Sequence, residues 1–131
     1  MIKEVLDWRA PLCFFDEEKK MPFLKIRTNG FSNDHRLVEK AAGLVADALG
    51  KPVSYVAAEI SYNENMAFGG SKQTKGAWIE LASIGIRDKQ TVVSALTDFA
   101  VECFGVERDF VCIWLTDLPA ANVAHGGRLF G

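Results

Sequence analysis

The sequence repeats itself at the level of its elements. Gly50 and Gly105 each close an apolar helical pattern, and each is followed by a strand-like run, at Val56 and at Phe110. The two glycines stand about 55 residues apart and the two strand starts about 54 apart, which marks a duplicated unit. A further strand pattern precedes each helix: FLKIRT from Phe23, and AWIELAS at 77 to 83. In the first helix Leu37, Val38, Ala41, Leu44, Val45 and Ala48 recur at three- and four-residue steps. Ser32, Asn33 and Asp34 are its candidate N-caps, and Gly50 followed by Pro52 is its stop. The second helix, from about Asp88 to Phe104, turns Val92, Val93, Leu96, Phe99, Ala100 and Cys103 to one side. Each copy is therefore a β-α-β unit, with parallel strands joined by a helical crossover.

Two such units predict an α/β (α+β) fold: a four-stranded, mainly parallel sheet with both helices on one face. At 131 residues there is room for a single domain. The FVCIWL segment is apolar at every position, the pattern of a strand buried on both sides. So short a chain has no spare element to cover the second face. We therefore expect that face to be apolar and to pack against other subunits. Between the units, NENMAFGGSKQTKG has no periodicity and predicts a long loop of the kind that often carries function.

With 49% hydrophobic and 24% charged residues, the chain has the composition of a soluble globular domain. Its formal charge of -2 lacks the basic excess of a nucleic-acid binder. Cys13, Cys103 and Cys112 form no CxxC pair and have no His-rich companion segment, so no metal site is expected and three reduced thiols are. Acidic and basic residues interrupt the first twenty positions, which excludes a signal peptide, and no apolar run reaches the roughly 18 residues needed to span a bilayer. A cytoplasmic protein is expected, with export lacking a leader left open.

Five segments carry a resemblance: MPFLKI at 21, GKP at 50, MAFGGS at 66, SIG at 83 and PAANV at 119. In this order and spacing they resemble the macrophage migration inhibitory factor family of the tautomerase superfamily, which includes D-dopachrome tautomerase. The likeness covers residues 21 to 131 and implies the duplicated β-α-β fold assembled as a homotrimer, its pockets at subunit interfaces. It further implies keto-enol tautomerisation of small α-keto acids such as phenylpyruvate, without a cofactor, or a cytokine-like role in binding a protein partner. Loss of the active site within the family is a third option.

The resemblance assigns the base to Pro22, as a free N-terminal proline. A secondary amine has a basic lone pair, and an α-amino pKa of about 7.7 to 8.0 falls toward neutrality in an apolar pocket beside a cation. An amide nitrogen has no such lone pair. Because twenty residues precede Met21, three readings stand for 1–20: a miscalled start, a tail removed by proteolysis, or an extension that blocks the site. The first is preferred here, since Met-Pro stands where the family begins and the DEEKK run suits a solvated tail. Lys51 matches the family's active-site lysine, and Ile84 a residue whose backbone N–H contacts substrate. Cys112 and Trp114 stand where the best-known member has a pocket tyrosine and asparagine supplied by the neighbouring subunit, so a more apolar pocket is expected. Val123 and Phe130 match apolar pocket walls. The family's CxxC is replaced by Gly76, Ala77, Trp78 and Ile79, and no thiol oxidoreductase activity is expected. His125 is read as an exposed residue without a role, and Asp109 and Asp117 as turn residues.

Overall fold

The computed structural model describes residues 21–131. The readings for 1–20, and Cys13, lie outside the described residues. Strand β1 (Phe23–Thr28) opens the first unit, helix α1 (Leu37–Leu49) crosses over, and β2 (Ala57–Tyr62) returns. The second unit repeats this with β3 (Ala77–Ser83), α2 (Lys89–Phe104) and β4 (Val111–Asp117). Strands β5 (Ala124–His125) and β6 (Arg128–Leu129) form a separate C-terminal ribbon.

The sheet order is β2-β1-β3-β4. Pairing within each unit is parallel, as the crossovers require, whereas β1 and β3 run antiparallel. Phe23 faces Ala82, and Thr28 faces Ala77. Ala77 and Ala82 lie about one repeat beyond Phe23 and Thr28, so exchanging the two units maps this pairing onto itself. The fold is thus α+β, two β-α-β units joined along an antiparallel seam with a local two-fold axis.

Alternation along the strands decides which side of the sheet is covered. Leu24 and Ile26 from β1, and Ala77, Ile79 and Leu81 from β3, join one core with Leu37, Ala41, Val45 and Leu49 of α1. From α2 the same core receives Val92, Leu96, Phe99, Ala100 and Phe104. Both helices therefore cover one face, as expected. The opposite face differs from the expectation. It carries Phe23, Trp78, Cys112 and Trp114, but also Lys25, Arg27, Glu59 and Glu80, with Lys25 paired between the two glutamates. Among the described residues FVCIWL is covered on one side only. Strand β4 is an edge strand, and its alternation turns Ile113 and Leu115 inward while Cys112 and Trp114 stay exposed.

Local polar groups fix the ends of the elements. The first helix begins at Leu37, and Arg36 before it gives no side-chain cap. Asp34 instead accepts from the Arg36 N–H at 2.9 Å and from Lys40 Nζ at 2.7 Å. The Lys40 hydrogen bond, then that of Arg36, holds its carboxyl below the usual carboxylate range. A depressed carboxyl stabilises the fold above its ordinary titration range, and the contribution is lost as pH falls through the lowered value. Asp88 caps α2 from a left-handed φ of 51°. The 63–76 loop is pinned by Asn29, whose amide donates to the Met66 and Thr74 carbonyls at 3.2 and 2.9 Å and whose oxygen accepts from the Gly76 N–H at 2.9 Å. A Cβ at Gly76 would lie 2.6 Å from the Phe110 carbonyl oxygen. No helix among the described residues is long and apolar enough to cross a membrane.

Because Ile79 is fully buried at the seam, Ile79→Ala should cost about 2–5 kcal/mol in urea unfolding. A cost below about 1 kcal/mol would contradict this packing.

Candidate active site

One end of the seam brings Pro22, Lys51 and Ser83 together. Pro22 lies just before β1 with its ring fully buried, and its carbonyl accepts from the Ala57 N–H at 3.0 Å. Continuing the register of Phe23 with Ala82 by one place sets Pro22 across from Ser83. Both then lie on the helix side of the sheet, in phase with Leu24 and Leu81.

Lys51 reaches the same point from α1. The helix ends with Gly50 at φ 67° and ψ 39°. There the Gly50 N–H donates to the Asp47 carbonyl at 3.3 Å, and the Lys51 N–H to the Ala46 carbonyl at 2.9 Å. These are the paired bonds of a Schellman cap, for which glycine supplies the left-handed residue. The cap fixes the Lys51 backbone, and its half-buried side chain runs to the end of β3. Its Nζ donates to Ser83 Oγ at 2.8 Å and to the Ile84 carbonyl at 2.6 Å. That strand end is itself held: the Leu118 N–H donates to the Ser83 carbonyl at 2.8 Å, and the Gly85 N–H to Asp117 Oδ1 at 2.9 Å. Asp117, expected in a turn, is instead the last residue of β4, paired with Ser83, and its side chain holds the turn that follows β3. Ser83 is fully buried.

The other predicted site residues divide into two groups. Val123 and Phe130 are both half-buried on the C-terminal ribbon, and the Phe130 N–H donates to the Val123 carbonyl at 2.9 Å. Tyr55, in the turn after Lys51, meets the ribbon through His125, with ring centroids 6.0 Å apart and the rings edge to face. Cys112 and Trp114, by contrast, lie on the open face of the sheet, where Trp114 leans on Trp78 at 5.3 Å between centroids. One chain does not bring them to Lys51. Sequence reasoning did not single out Ser83 or Tyr55, while His125 is exposed, as expected, and meets Tyr55. Ser83 lay inside the SIG segment but was passed over for Ile84, and only the fold shows that it holds the lysine. No group of three or more His, Cys, Asp or Glu residues is placed to hold a metal among the described residues.

Comparison with known proteins gives this geometry a family. A family model described as macrophage migration inhibitory factor matches residues 21–131. The chain belongs to the macrophage migration inhibitory factor family. Members of that family are tautomerases or cytokine-like proteins. A macrophage migration inhibitory factor homologue of Brugia malayi is 28% identical over 115 residues, which cover 85% of this chain and all of the relative. The Toxoplasma gondii macrophage migration inhibitory factor structure is 31% identical at a TM-score of 0.71, covering 82% of this chain and 98% of that one. The corresponding Trichinella spiralis structure is 26% identical with a TM-score of 0.72, over 82% and 98% of the two chains.

Gly50→Ala would force a Cβ into the left-handed conformation on which the cap depends, and should destabilise the chain by about 1–2 kcal/mol. Thermal or urea unfolding checks this. An unchanged midpoint would mean that the cap does not constrain the Lys51 segment.

Proposed function

We propose that this chain is a keto-enol tautomerase of small α-keto acids bearing an aryl or other apolar group, with Pro22 as the base and Lys51 as the anion site. The observation that carries this reading is the convergence of Pro22 and the Lys51 ammonium on Ser83. With Pro22 as the first residue, its neutral amine takes a proton from the carbon beside the keto group: a C–H bond breaks, an N–H bond forms, and negative charge moves to the keto oxygen. The nearby ammonium lowers the energy of that charge, and its two hydrogen bonds hold it in place before reaction. The proton then passes from Pro22 to the oxygen, giving the enol. Burial of the ring favours the neutral amine that this cycle needs.

The unit expected to work is a homotrimer. Among the described residues strands β2 and β4 leave both sheet edges unpaired, and the open face carries Trp78 at 41% and Trp114 at 51% exposure. A neighbouring subunit would cover these groups and bring its own Cys112 and Trp114 toward Lys51. Light scattering at micromolar concentration should report a trimer, and a stable monomer would overturn the assembly.

A chain beginning at Pro22 should tautomerise phenylpyruvate, while the 131-residue chain, in which that nitrogen is an amide, should be slower by at least about 100-fold. Equal rates would remove Pro22 from the role of base. Pro22→Gly in the shorter chain should keep partial activity through its primary amine, and Lys51→Ala should raise KM for the anionic substrate. An inert shorter chain would favour the cytokine-like role instead.

A further inference from the structure

Ser83 differs from the other buried polar residues. Thr28 Oγ1 donates to the Gly76 carbonyl at 2.7 Å and accepts from the Gly30 N–H at 2.9 Å, and the Asn29 side chain likewise both donates and accepts. The fully buried Ser83 hydroxyl accepts from Lys51 Nζ at 2.8 Å, but among the described residues no atom receives its own hydrogen. A buried donor without an acceptor is rare and calls for an explanation. That hydrogen cannot turn to the lysine, because an ammonium has only donors. Across the seam stands Pro22, also buried and on the same side of the sheet. Directly opposed residues have Cβ atoms about 4.5–5.5 Å apart, a span that a serine hydroxyl can bridge to the proline nitrogen. In the 131-residue chain that nitrogen is an amide and cannot accept. At a chain terminus it has a lone pair.

We propose that Ser83 is a positioning residue for the base: its hydroxyl donates to the Pro22 amine when the chain begins there, while its oxygen goes on accepting from Lys51. This rests on the tautomerase reading above, with Pro22 as the base. A hydrogen bond donated to the neutral amine favours that form. Protonation of Pro22 uses up the lone pair and leaves the serine hydrogen buried without an acceptor once more. The bond therefore lowers the affinity of the amine for protons, and Ser83 keeps its own hydrogen throughout the cycle. The other titratable groups on the elements that meet here are Lys51 itself, Tyr55 in the turn after it, and Asp117, which accepts from the Gly85 N–H. Lys25, Glu59 and Glu80 lie on the open face.

The test titrates the Pro22 amine by nitrogen NMR, without substrate, in the chain beginning at Pro22, whose residues hold the entire core described above. Ser83→Ala should raise the amine pKa by about one unit. Ser83→Cys, close in size but a weak donor, should raise it by less, and Ser83→Thr, which keeps the hydroxyl, should hold it at the parent value. Repeating Ser83→Ala in a Lys51→Ala background separates this bond from the holding of the lysine, and the rise should persist there. With phenylpyruvate, the acid limb of kcat/KM should move by the same amount. Because the titration needs no turnover, a chain inert toward phenylpyruvate would end the tautomerase reading and still decide the hydrogen bond. A pKa unmoved by Ser83→Ala or Ser83→Cys, or a rise that vanishes without Lys51, overturns the proposal.

Discussion

The antiparallel pairing of β1 with β3 is the contact on which the rest of the molecule depends. Each β-α-β unit has one helix and two strands, too little to enclose a core. Once Leu24 and Ile26 meet Leu81 and Ile79 across the seam, the two half-cores become continuous and both helices share them. The same pairing carries Pro22 to Ser83. Packing and site geometry are thus two results of one register. A slip of one residue would turn Leu24 and Ile26 to the open face and take Pro22 away from the lysine.

Backbone geometry sets where Lys51 starts and two neutral acceptors hold its tip. Its Nζ donates to a hydroxyl and a carbonyl, the Ser83 Oγ and the Ile84 oxygen. The cap at Gly50, the short turn through Tyr55 and the clamp of Asp117 on Gly85 hold both ends of this contact. An ammonium set in advance at a buried strand end is suited to meeting an anion without reorganisation.

Much of this was legible because periodicity and repetition are local signals. FLKIRT and AWIELAS match β1 and β3 residue for residue, and Gly50 and Gly105 stop the helices where expected. Less legible was anything that depends on which strands become neighbours. The pattern within each unit requires parallel pairing but does not set the direction of one unit against the other. Hence the central antiparallel pair, and with it the part of Ser83, emerged only from the fold. The open face was misjudged from FVCIWL alone, although Lys25, Arg27, Glu59 and Glu80 alternate with the core residues in the other strands. His125 is unremarkable in sequence, since its meaning comes from Tyr55, about seventy residues away.

The two-fold seam also has a second end, and the two ends have diverged. The repeat places Gly76 as the counterpart of Pro22, Asn29 as that of Ser83, and Val106 as that of Lys51. At this end Val106, where the other end has Lys51, is buried in the core, and Asn29 closes on Gly76 while tying down the 63–76 loop. An ancestral unit paired with itself would have had two equivalent ends, each with the same fate. Duplication released them from that identity, so one copy could become a structural clasp while the other kept an ammonium at its mouth.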